Sequence, residues 1–338
     1  MLKTTIGEAY MNQPAPLLSI LIPAYNASKF LSRCLDSIVS QDQFSDNVEI
    51  VVIDDGSKDR TLEIIKDYSA KCDSIHYKTR ENRGIGPTRN ELIDLAEGRY
   101  FWFVDADDYV SADSLQILVP LLLSDRYDMI MLGFNWKSAE GVKTVTCSGE
   151  YASGLDMADH DVYNNSLWTR VYRKSVVEDH QVRFNSLQMG EDFDFIFRLI
   201  PYLGRCKCLE QPLYNYVVSA GSAITATDMK HKVKSSDDSL TCIESGFQWI
   251  RQWDKSRQHI LRKPLNFFLM GYLYSIFVVP FSYRYKEQVM NRLSACGAFP
   301  IYPLPVNKRH KVFSRILNVS FLRYLSLFLD YILLRWKR

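Results

Sequence analysis

Three aspartates stand directly after an aromatic stretch. Asp105, Asp107 and Asp108 follow residues 100–104 (YFWFV), a run that is typical of a buried strand. We expect Asp105 and Asp107 to point to the same side of an extended backbone, because side chains alternate along a strand. Two carboxylates on one side suit Mg²⁺ or Mn²⁺, and a diphosphate could supply further oxygen ligands. The alternative is a solvated acidic turn, since D-x-D is short and common.

A second pair of acids, Glu191 and Asp192, comes directly before apolar residues at helical spacing. Phe193, Ile196 and Phe197 fall on one face of such a helix, so the acids occupy its first turn. Acids are favoured there for structural reasons alone, because they cap free N–H groups and match the helix dipole. The same position is expected to lower the pKa of a carboxylate. The pattern by itself leaves a structural role and a catalytic role open.

The elements that must position these acids alternate between strand and helix. Residues 19–22 and 48–53 are apolar strands, and apolar residues at helical spacing lie between them and after the second. This βαβ order predicts an α/β protein with a mostly parallel sheet flanked by helices. Ligands of such sheets bind at the carboxyl ends of the strands. Tyr25, Asp54 and Asp55 lie at those ends, so we expect them at one edge with the D-x-D acids.

The composition is that of an ordinary globular protein. The chain has 338 residues, 47% of them hydrophobic and 24% charged, which favours two domains or one domain with an extension. Seven scattered cysteines predict reduced thiols, and we see no signal peptide, so we expect a cytoplasmic protein. The net charge of +2 does not indicate a nucleic-acid partner.

The C-terminal part differs from the rest in its charge. The apolar stretch 265–281 predicts a buried or membrane-facing helix rather than a span. Residues 306–338 contain eight basic residues and one acid, a net charge of +7. Arg323, Ser326 and Asp330 form a polar stripe there, which predicts an amphipathic helix on an anionic membrane surface. The alternative is a helix that packs on its own chain or on a partner chain, as in a homodimer.

In their order along the chain, these motifs resemble the inverting glycosyltransferases of family 2, which have a GT-A fold. The matching segments are residues 19–26 (SILIPAYN), 34–38 (CLDSI), 52–61 (VIDDGSKDRT), 82–84 (NRG), 89–90 (RN), 105–108 (DADD) and 190–195 (GEDFDF). The ordered set covers roughly residues 17–225, and residues 168–216 look most like members that build bacterial surface polysaccharides. Thr88 stands where Ala is usual and Gln41-Asp42 replaces Gln-Thr, but neither departure puts the activity in doubt.

The resemblance implies a catalytic GT-A domain with a helical C-terminal extension. We expect a loose leader (1–16), the catalytic domain (17–228) and a helical region (229–338) that ends in the basic tail (306–338). Within the catalytic domain, residues 17–135 would bind the nucleotide-sugar and residues 136–228 the acceptor.

The implied reaction moves a sugar, with inversion, from a nucleotide-sugar to a hydroxyl group of a glycan. The donor of the family is most often a UDP-sugar. Tyr25 and Pro23 would form a wall for the uracil ring. Either Asp54 or Asp55 would accept the uracil N–H, because neighbouring side chains point opposite ways in a strand. Arg89 would offer a cation to the base edge or the diphosphate.

The resemblance also assigns roles to both groups of acids. Asp107 would bind Mn²⁺ or Mg²⁺ directly, and Asp105 would hold the ribose or reach the metal through water. Asp192 would be the base that takes the proton of the acceptor hydroxyl, and Glu191 would support it.

The expected acceptor is a glycan. Trp168 and Tyr172 are candidates for stacking on its sugars, with ordinary core packing as the alternative. If the basic tail binds membrane, the acceptor is lipid-linked and the protein is peripheral on the cytoplasmic face of the inner membrane. Such an enzyme would serve the synthesis of capsule, O-antigen or exopolysaccharide.

Two other functions compete with this interpretation. A sugar nucleotidyltransferase also has paired acids at the end of a sheet, but it typically carries a Gly-rich basic loop where this chain has residues 23–26 (PAYN). A non-catalytic nucleotide-binding scaffold would be favoured by the loss of Asp107 or Asp192, and both are present.

Overall fold

The computed structural model describes residues 15–44, 47–218, 228–301, 308–320, 323–324 and 327. The strands are β1 (Leu18–Ala24), β2 (Val48–Asp54), β3 (Ile75–Thr79), β4 (Tyr100–Phe103), β5 (Tyr109–Val110), β6 (Met129–Ser138), β7 (Gly141–Val145), β8 (Gly149–Tyr151), β9 (Arg170–Arg173) and β10 (Cys206–Val217). The helices are α1 (Leu31–Val39), α2 (Thr61–Ser69), α3 (Ile85–Leu95), α4 (Ser114–Leu123), α5 (Gly154–Asp159), α6 (Lys174–Asp179), α7 (Glu191–Leu199), α8 (Met229–Trp249), α9 (Lys255–Val278), α10 (Tyr283–Cys296) and α11 (Lys308–Asn318).

The strands form one mixed sheet in the order β3-β2-β1-β4-β9-β6-β10-β5, with β7 beside β6 and β8 beside β10. Strands β1, β2, β3 and β4 pair in parallel, and so do β6 and β10. Strand β9 is antiparallel to both β4 and β6, so the two parallel groups run in the same direction. The carboxyl ends of six strands therefore meet at one edge, which we call the carboxyl edge. The predicted α/β fold with a mostly parallel sheet is confirmed.

Helices cover both faces of the sheet, which explains why its central strands are mostly apolar. Every residue of β1 and β2 is buried, as is typical of parallel strands between two helical layers. Helices α1, α2 and α4 contribute to the core on one face. Helices α3, α6 and α7 contribute to the core on the other. The central strands thus lie between two helical layers, which favours the carboxyl edge as the place for ligands.

Helices α8 to α11 build a third core that includes one side of α7. Phe193 and Phe197 of α7 pack there with apolar side chains of α8 and α9, and the rings of Phe193 and Phe268 stack with centroids 4.1 Å apart. Leu265 and Leu273 of α9 are fully buried. Among the described residues, no helix is long and apolar enough to span a membrane. The expectation that residues 265–281 form a packed helix rather than a span is confirmed.

Part of the basic tail packs on its own chain. Arg323 is 3% exposed, donates hydrogen bonds to the Leu317 carbonyl and the Ser294 hydroxyl, and lies over the ring of Phe299. The prediction that Arg323 belongs to a polar stripe facing a membrane surface is therefore wrong, because its charge is satisfied inside the protein. Ser326 and residues 328–338 lie outside the described residues, as does the predicted leader up to residue 14.

Candidate active site

The D-x-D acids lie in a turn at the carboxyl edge. Strand β4 ends at Phe103, and the Asp108 N–H donates to the Asp105 carbonyl at 3.0 Å. The expectation that an extended strand carries Asp105 and Asp107 on one side is therefore wrong, because the backbone turns between Asp105 and Asp108. Arg33 of α1 donates to the Asp107 carbonyl and fixes the other side of the turn.

Asp108 anchors this turn from inside the protein. Its side chain is 1% exposed and accepts hydrogen bonds from the Tyr214 hydroxyl at 2.8 Å and the Val217 N–H at 2.7 Å. The Tyr214 hydroxyl in turn accepts the Asp105 N–H at 3.1 Å. Strand β10 thereby holds the acidic turn in place. The three aspartates have different roles, which their similar positions in the sequence do not reveal.

The turn carries more negative charge than the protein around it neutralises. Burial raises the pKa of Asp105 to about 6, with repulsion from Asp107 and Glu191 added, even though Arg89 opposes the shift. Burial and repulsion from Asp105 and Asp107 raise the pKa of Asp108 to about 8. A divalent cation would relieve this repulsion, and carboxylate oxygens are the ligands that Mg²⁺ and Mn²⁺ prefer. The residues present therefore fit a metal ion.

The same side chains would not enclose an ion by themselves. Within the described ranges, no three His, Cys, Asp or Glu side chains converge as a metal-binding group. A metal held by Asp107 and Asp105 would need further oxygen ligands from another molecule, such as a diphosphate.

These raised pKa values predict how metal-free protein responds to pH. Between about pH 4 and pH 8 the folded chain binds more protons at Asp105 and Asp108 than the unfolded chain does. Its free energy of unfolding therefore falls as the pH rises through that window. In EDTA, deprotonation of Asp108 should make the melting temperature at pH 8 roughly 2–4 °C lower than at pH 6. The Asp108→Asn variant should show a smaller drop over this interval in calorimetric melts, and equal drops would contradict the assignment.

Arg89 joins the D-x-D turn to the second pair of acids. It lies on α3, is 5% exposed, and its guanidinium donates to Glu191 at 3.0 Å and also to Asp192. Its other terminal nitrogen is 3.7 Å from the Asp105 carboxylate. The rings of Phe103 and Phe184 flank the guanidinium on the apolar side. Arg89 was expected to contact the donor, whereas the structure places it among three carboxylates.

Burial changes the proton affinity of the second acid pair. Helix α7 begins at Glu191, as the sequence predicts, with Asp192 in its first turn. Burial raises the pKa of both carboxyls, and Arg89 only partly opposes the shift. The expected lowering by the helix N-terminus is therefore outweighed, because desolvation disfavours the charged form more strongly than the dipole favours it. A raised pKa makes either carboxylate a better proton acceptor.

Replacing Arg89 by lysine is expected to move the pH dependence of activity. Lysine keeps the charge but cannot bridge two carboxylates as the planar guanidinium does. The pKa of the Glu191/Asp192 pair should rise further, shifting the acid limb of the pH profile of kcat/KM upward by about 1 pH unit. Arg80→Lys is the matched control, because Arg80 is a buried arginine paired with Asp55 and Glu91 instead. An unchanged acid limb in Arg89→Lys would show that the pair does not titrate in catalysis.

Tyr25 offers an open aromatic face at the same edge. It follows the buried Pro23 at the end of β1, and 53% of its surface is exposed. The side chains of Asp54 and Asp55, by contrast, are buried. Asp54 accepts hydrogen bonds from the Ser57 N–H at 3.2 Å and the Thr79 hydroxyl at 2.8 Å.

Asp55 holds the loop that leads into α3. Its carboxylate accepts the N–H groups of Arg83 at 3.0 Å and Gly84 at 2.9 Å, and it also pairs with Arg80. Gly84 adopts a φ of +89°, which favours glycine, at the start of α3. A carboxylate oxygen can accept two hydrogen bonds, and Oδ2 of Asp55 accepts one from Gly84. Asp55 therefore keeps acceptor capacity, and so does Asp54, whose two oxygens each accept one hydrogen bond.

Trp168 and Tyr172 do not present faces to an acceptor. Trp168 is 6% exposed and stacks on Tyr214 and Tyr216, and Tyr172 is 1% exposed and packs against Phe101. The prediction that these two residues stack on acceptor sugars is therefore wrong, since the core covers both rings.

The fold and its acidic edge define a GT-A protein. The structure resembles that of Staphylococcus aureus TarS residues 1–349 in complex with UDP-GlcNAc, with a TM-score of 0.72 and 21% identity over 93% of this chain and 89% of that one. It also resembles the mannosyltransferase PcManGT from Pyrobaculum calidifontis in complex with GDP-Man and Mn²⁺, with a TM-score of 0.52 and 15% identity over 94% of this chain and 88% of that one. At these identities the likeness concerns the fold.

Sequence comparison supplies the family. Residues 19–181 match the model of the family Glycosyl transferase family 2. These residues form a glycosyltransferase family 2 domain, and the chain is a glycosyltransferase. It is similar to the putative glycosyltransferase EpsH of Bacillus subtilis, at 25% identity over 75% of this chain and 74% of EpsH. It is also similar to the poly(ribitol-phosphate) β-N-acetylglucosaminyltransferase TarS of S. aureus, at 26% identity over 59% of this chain and 35% of TarS.

Proposed function

We propose that this protein is a metal-dependent, inverting glycosyltransferase that moves a sugar from a UDP-sugar to a glycan hydroxyl. The observation that carries the proposal is the position of Arg89. Its guanidinium donates to Asp192 and lies 3.7 Å from Asp105. A candidate base and a candidate metal turn thus lie side by side at the carboxyl edge, and a single displacement needs both within reach of one sugar.

The chemistry divides between the two acid groups. A bound Mg²⁺ or Mn²⁺ would neutralise charge that develops on the departing nucleotide. Asp107 would hold that ion, with Asp105 beside it. Asp192 would accept the proton of the attacking hydroxyl, on the face of the sugar opposite the nucleotide. Glu191 would keep Arg89 in place, so that Asp192 faces the acceptor in one orientation.

The carboxyl edge fits uracil best as the base of the donor nucleotide. Tyr25 has an exposed ring for stacking, and stacking of a base on an aromatic ring is worth about 1–3 kcal/mol. Oδ2 of Asp55 would accept the N–H of the uracil ring. Neutral cytosine has no N–H at that ring position and could not make this hydrogen bond. The UDP-GlcNAc complex of TarS supports uracil as the base. Because PcManGT was solved with GDP-Man, GDP is the nucleotide with which UDP binding should be compared.

The proposed acceptor is a glycan of a bacterial surface polysaccharide, attached to a lipid. The similarity to TarS, whose name specifies a poly(ribitol-phosphate) acceptor, supports the polymer class. Val312 and Val319 of the α11 region are exposed, with the exposed Arg315 between them. An apolar and basic surface of this kind suits peripheral attachment to the cytoplasmic face of the inner membrane.

Calorimetric titration of UDP, with and without Mn²⁺, tests the proposal, with GDP and CDP as comparators. Binding that is selective for UDP and strengthened by Mn²⁺ is the expected result. The Tyr25→Ala variant should bind UDP at least about 5-fold more weakly, because the stacking contribution is lost. Its fold should be unchanged, since the ring is exposed. Tighter binding of GDP would overturn the donor, and an absence of nucleotide binding would favour a non-catalytic scaffold.

A further inference from the structure

Four aromatic rings lie in a row that reaches the protein surface, with the inner three stacked and the outermost tilted by 40° to its neighbour. Trp168 stacks on Tyr214 with ring centroids 4.4 Å apart, and on Tyr216 with centroids 5.4 Å apart. Tyr216 contacts Trp136, whose ring centroid lies 4.6 Å away. Three of these rings are partly or wholly buried, but Trp136 is 41% exposed. The stack is therefore rigid at its base and open at its outer end.

This stack is joined directly to the acidic turn. Tyr214, its innermost ring, donates to Asp108 and accepts from the Asp105 N–H. Tyr216 precedes Val217, whose N–H donates to Asp108 at 2.7 Å. A ring mounted on this strand is held in a fixed position relative to the D-x-D acids.

The outer rings lie on the side of the acids away from the nucleotide. Trp136 and Tyr216 are paired residues of β6 and β10, near the carboxyl ends of both strands. In the sheet order, these strands lie beyond β4, whereas β1 and β2, which lead into Tyr25 and Asp55, lie on its other side. A ligand that contacts Trp136 and Tyr216 would therefore approach the D-x-D acids from the side opposite the proposed nucleotide site.

We propose that the exposed ring of Trp136, backed by Tyr216, forms a stacking platform for a pyranose ring of the acceptor glycan. This inference rests on the proposed transferase function and names the part of the acceptor that the site recognises. One face of a pyranose presents C–H groups, which pack on aromatic rings, while its hydroxyls remain at the rim for water or polar groups. Trp168, which lies beneath Tyr216 in the stack, supports the platform without touching the sugar.

Saturation-transfer NMR of the full-length protein tests this platform with simple probes. The probes are methyl β-D-glucopyranoside and methyl N-acetyl-β-D-glucosaminide, with D-ribitol as an acyclic polyol. We expect the pyranosides to receive saturation mainly on one ring face and ribitol to receive little. Trp136→Ala should weaken pyranoside binding about 5-fold or more, and Trp136→Phe should restore part of it. Tyr274→Ala is the matched control, because Tyr274 is an aromatic residue of α9 that is 63% exposed.

UDP binding measured on the same samples separates this inference from the proposed function. Unchanged UDP affinity in Trp136→Ala, with weakened pyranoside binding, is the expected pattern. Pyranoside binding that is unaffected by Trp136→Ala, or absent from protein that binds UDP, would overturn the platform and leave the transferase intact. Ribitol binding as strong as pyranoside binding would also overturn it, because an acyclic chain has no ring face. Wild-type protein that binds no UDP would contradict the function itself.

Discussion

Replacing Asp192 by asparagine should reduce sugar transfer by about 10³-fold while UDP-sugar binding stays within a factor of two or so. A positioned general base contributes about 10²–10⁴ in rate. Asparagine keeps the shape of aspartate and can still accept the hydrogen bond from Arg89, but it cannot take a proton from the acceptor. Transfer is measured with saturating acceptor, and binding is measured by calorimetry with the intact UDP-sugar.

Glu191→Gln is the matched variant for this test. Glu191 accepts from the same guanidinium at 3.0 Å and is its neighbour on α7. As a support rather than a base, it should cost about 10-fold in rate, since Arg89 would then be held by one carboxylate less. If Asp192→Asn lost binding and transfer equally, Asp192 would be structural. If Glu191→Gln had the larger effect on transfer, the two roles would be exchanged.

The part of the site that lies within single strand-to-turn segments could be predicted from the sequence. Strands β1, β2 and β4 are mostly apolar runs, and such runs separated by helices leave few topologies open. The rule that ligands bind at carboxyl ends then places Tyr25 and the D-x-D acids at one edge. Helix α7 could also be predicted, because its apolar face has a clear period from Phe193 onward.

What could not be predicted depends on contacts between distant segments. Arg89 and Asp192 are 103 positions apart, and only the folded chain brings α3 and the start of α7 together. In the sequence nothing distinguishes Asp108 from the neighbouring acids. Only the folded chain shows that Tyr214 and Val217 of β10 donate hydrogen bonds to it. The burial of Trp168 could not be predicted, because the residues next to it in the sequence do not indicate which side chains cover its ring.

The aromatic platform likewise could not be predicted from the sequence, because it also depends on contacts between distant segments. Trp136 and Tyr216 become neighbours through the register of β6 and β10, which contains irregularities between Cys208 and Tyr214. A shift of one residue would turn every later side chain to the other face of the sheet. Pro212 indicates a break in the pairing of β10, because proline cannot donate to the ladder, but it does not indicate the size of the shift. The contact of Trp136 with Tyr216 could therefore be found only in the folded chain.

Asp107→Asn should remove both the Mn²⁺ dependence of UDP binding and most of the transfer activity. A metal ion contributes several kcal/mol of charge stabilisation in such reactions, which corresponds to a loss of about 10³-fold or more in rate. Asparagine keeps the volume of the side chain but gives up the negative charge that attracts the ion. Asp113→Asn is the control, because Asp113 is exposed close by and its side chain forms no cap with α4.

The two aspartate variants together separate binding from chemistry. Asp192→Asn should bind UDP with the same Mn²⁺ dependence as the wild type and fail to transfer, whereas Asp107→Asn should lose the Mn²⁺ dependence as well. Mn²⁺-dependent UDP binding that persists in Asp107→Asn would move the metal away from the D-x-D turn. The raised pKa of Asp105, to about 6, would then reflect burial beside Asp107 and Glu191 rather than a site built for a cation. The melting temperature of each variant in EDTA shows whether either substitution acts through the fold.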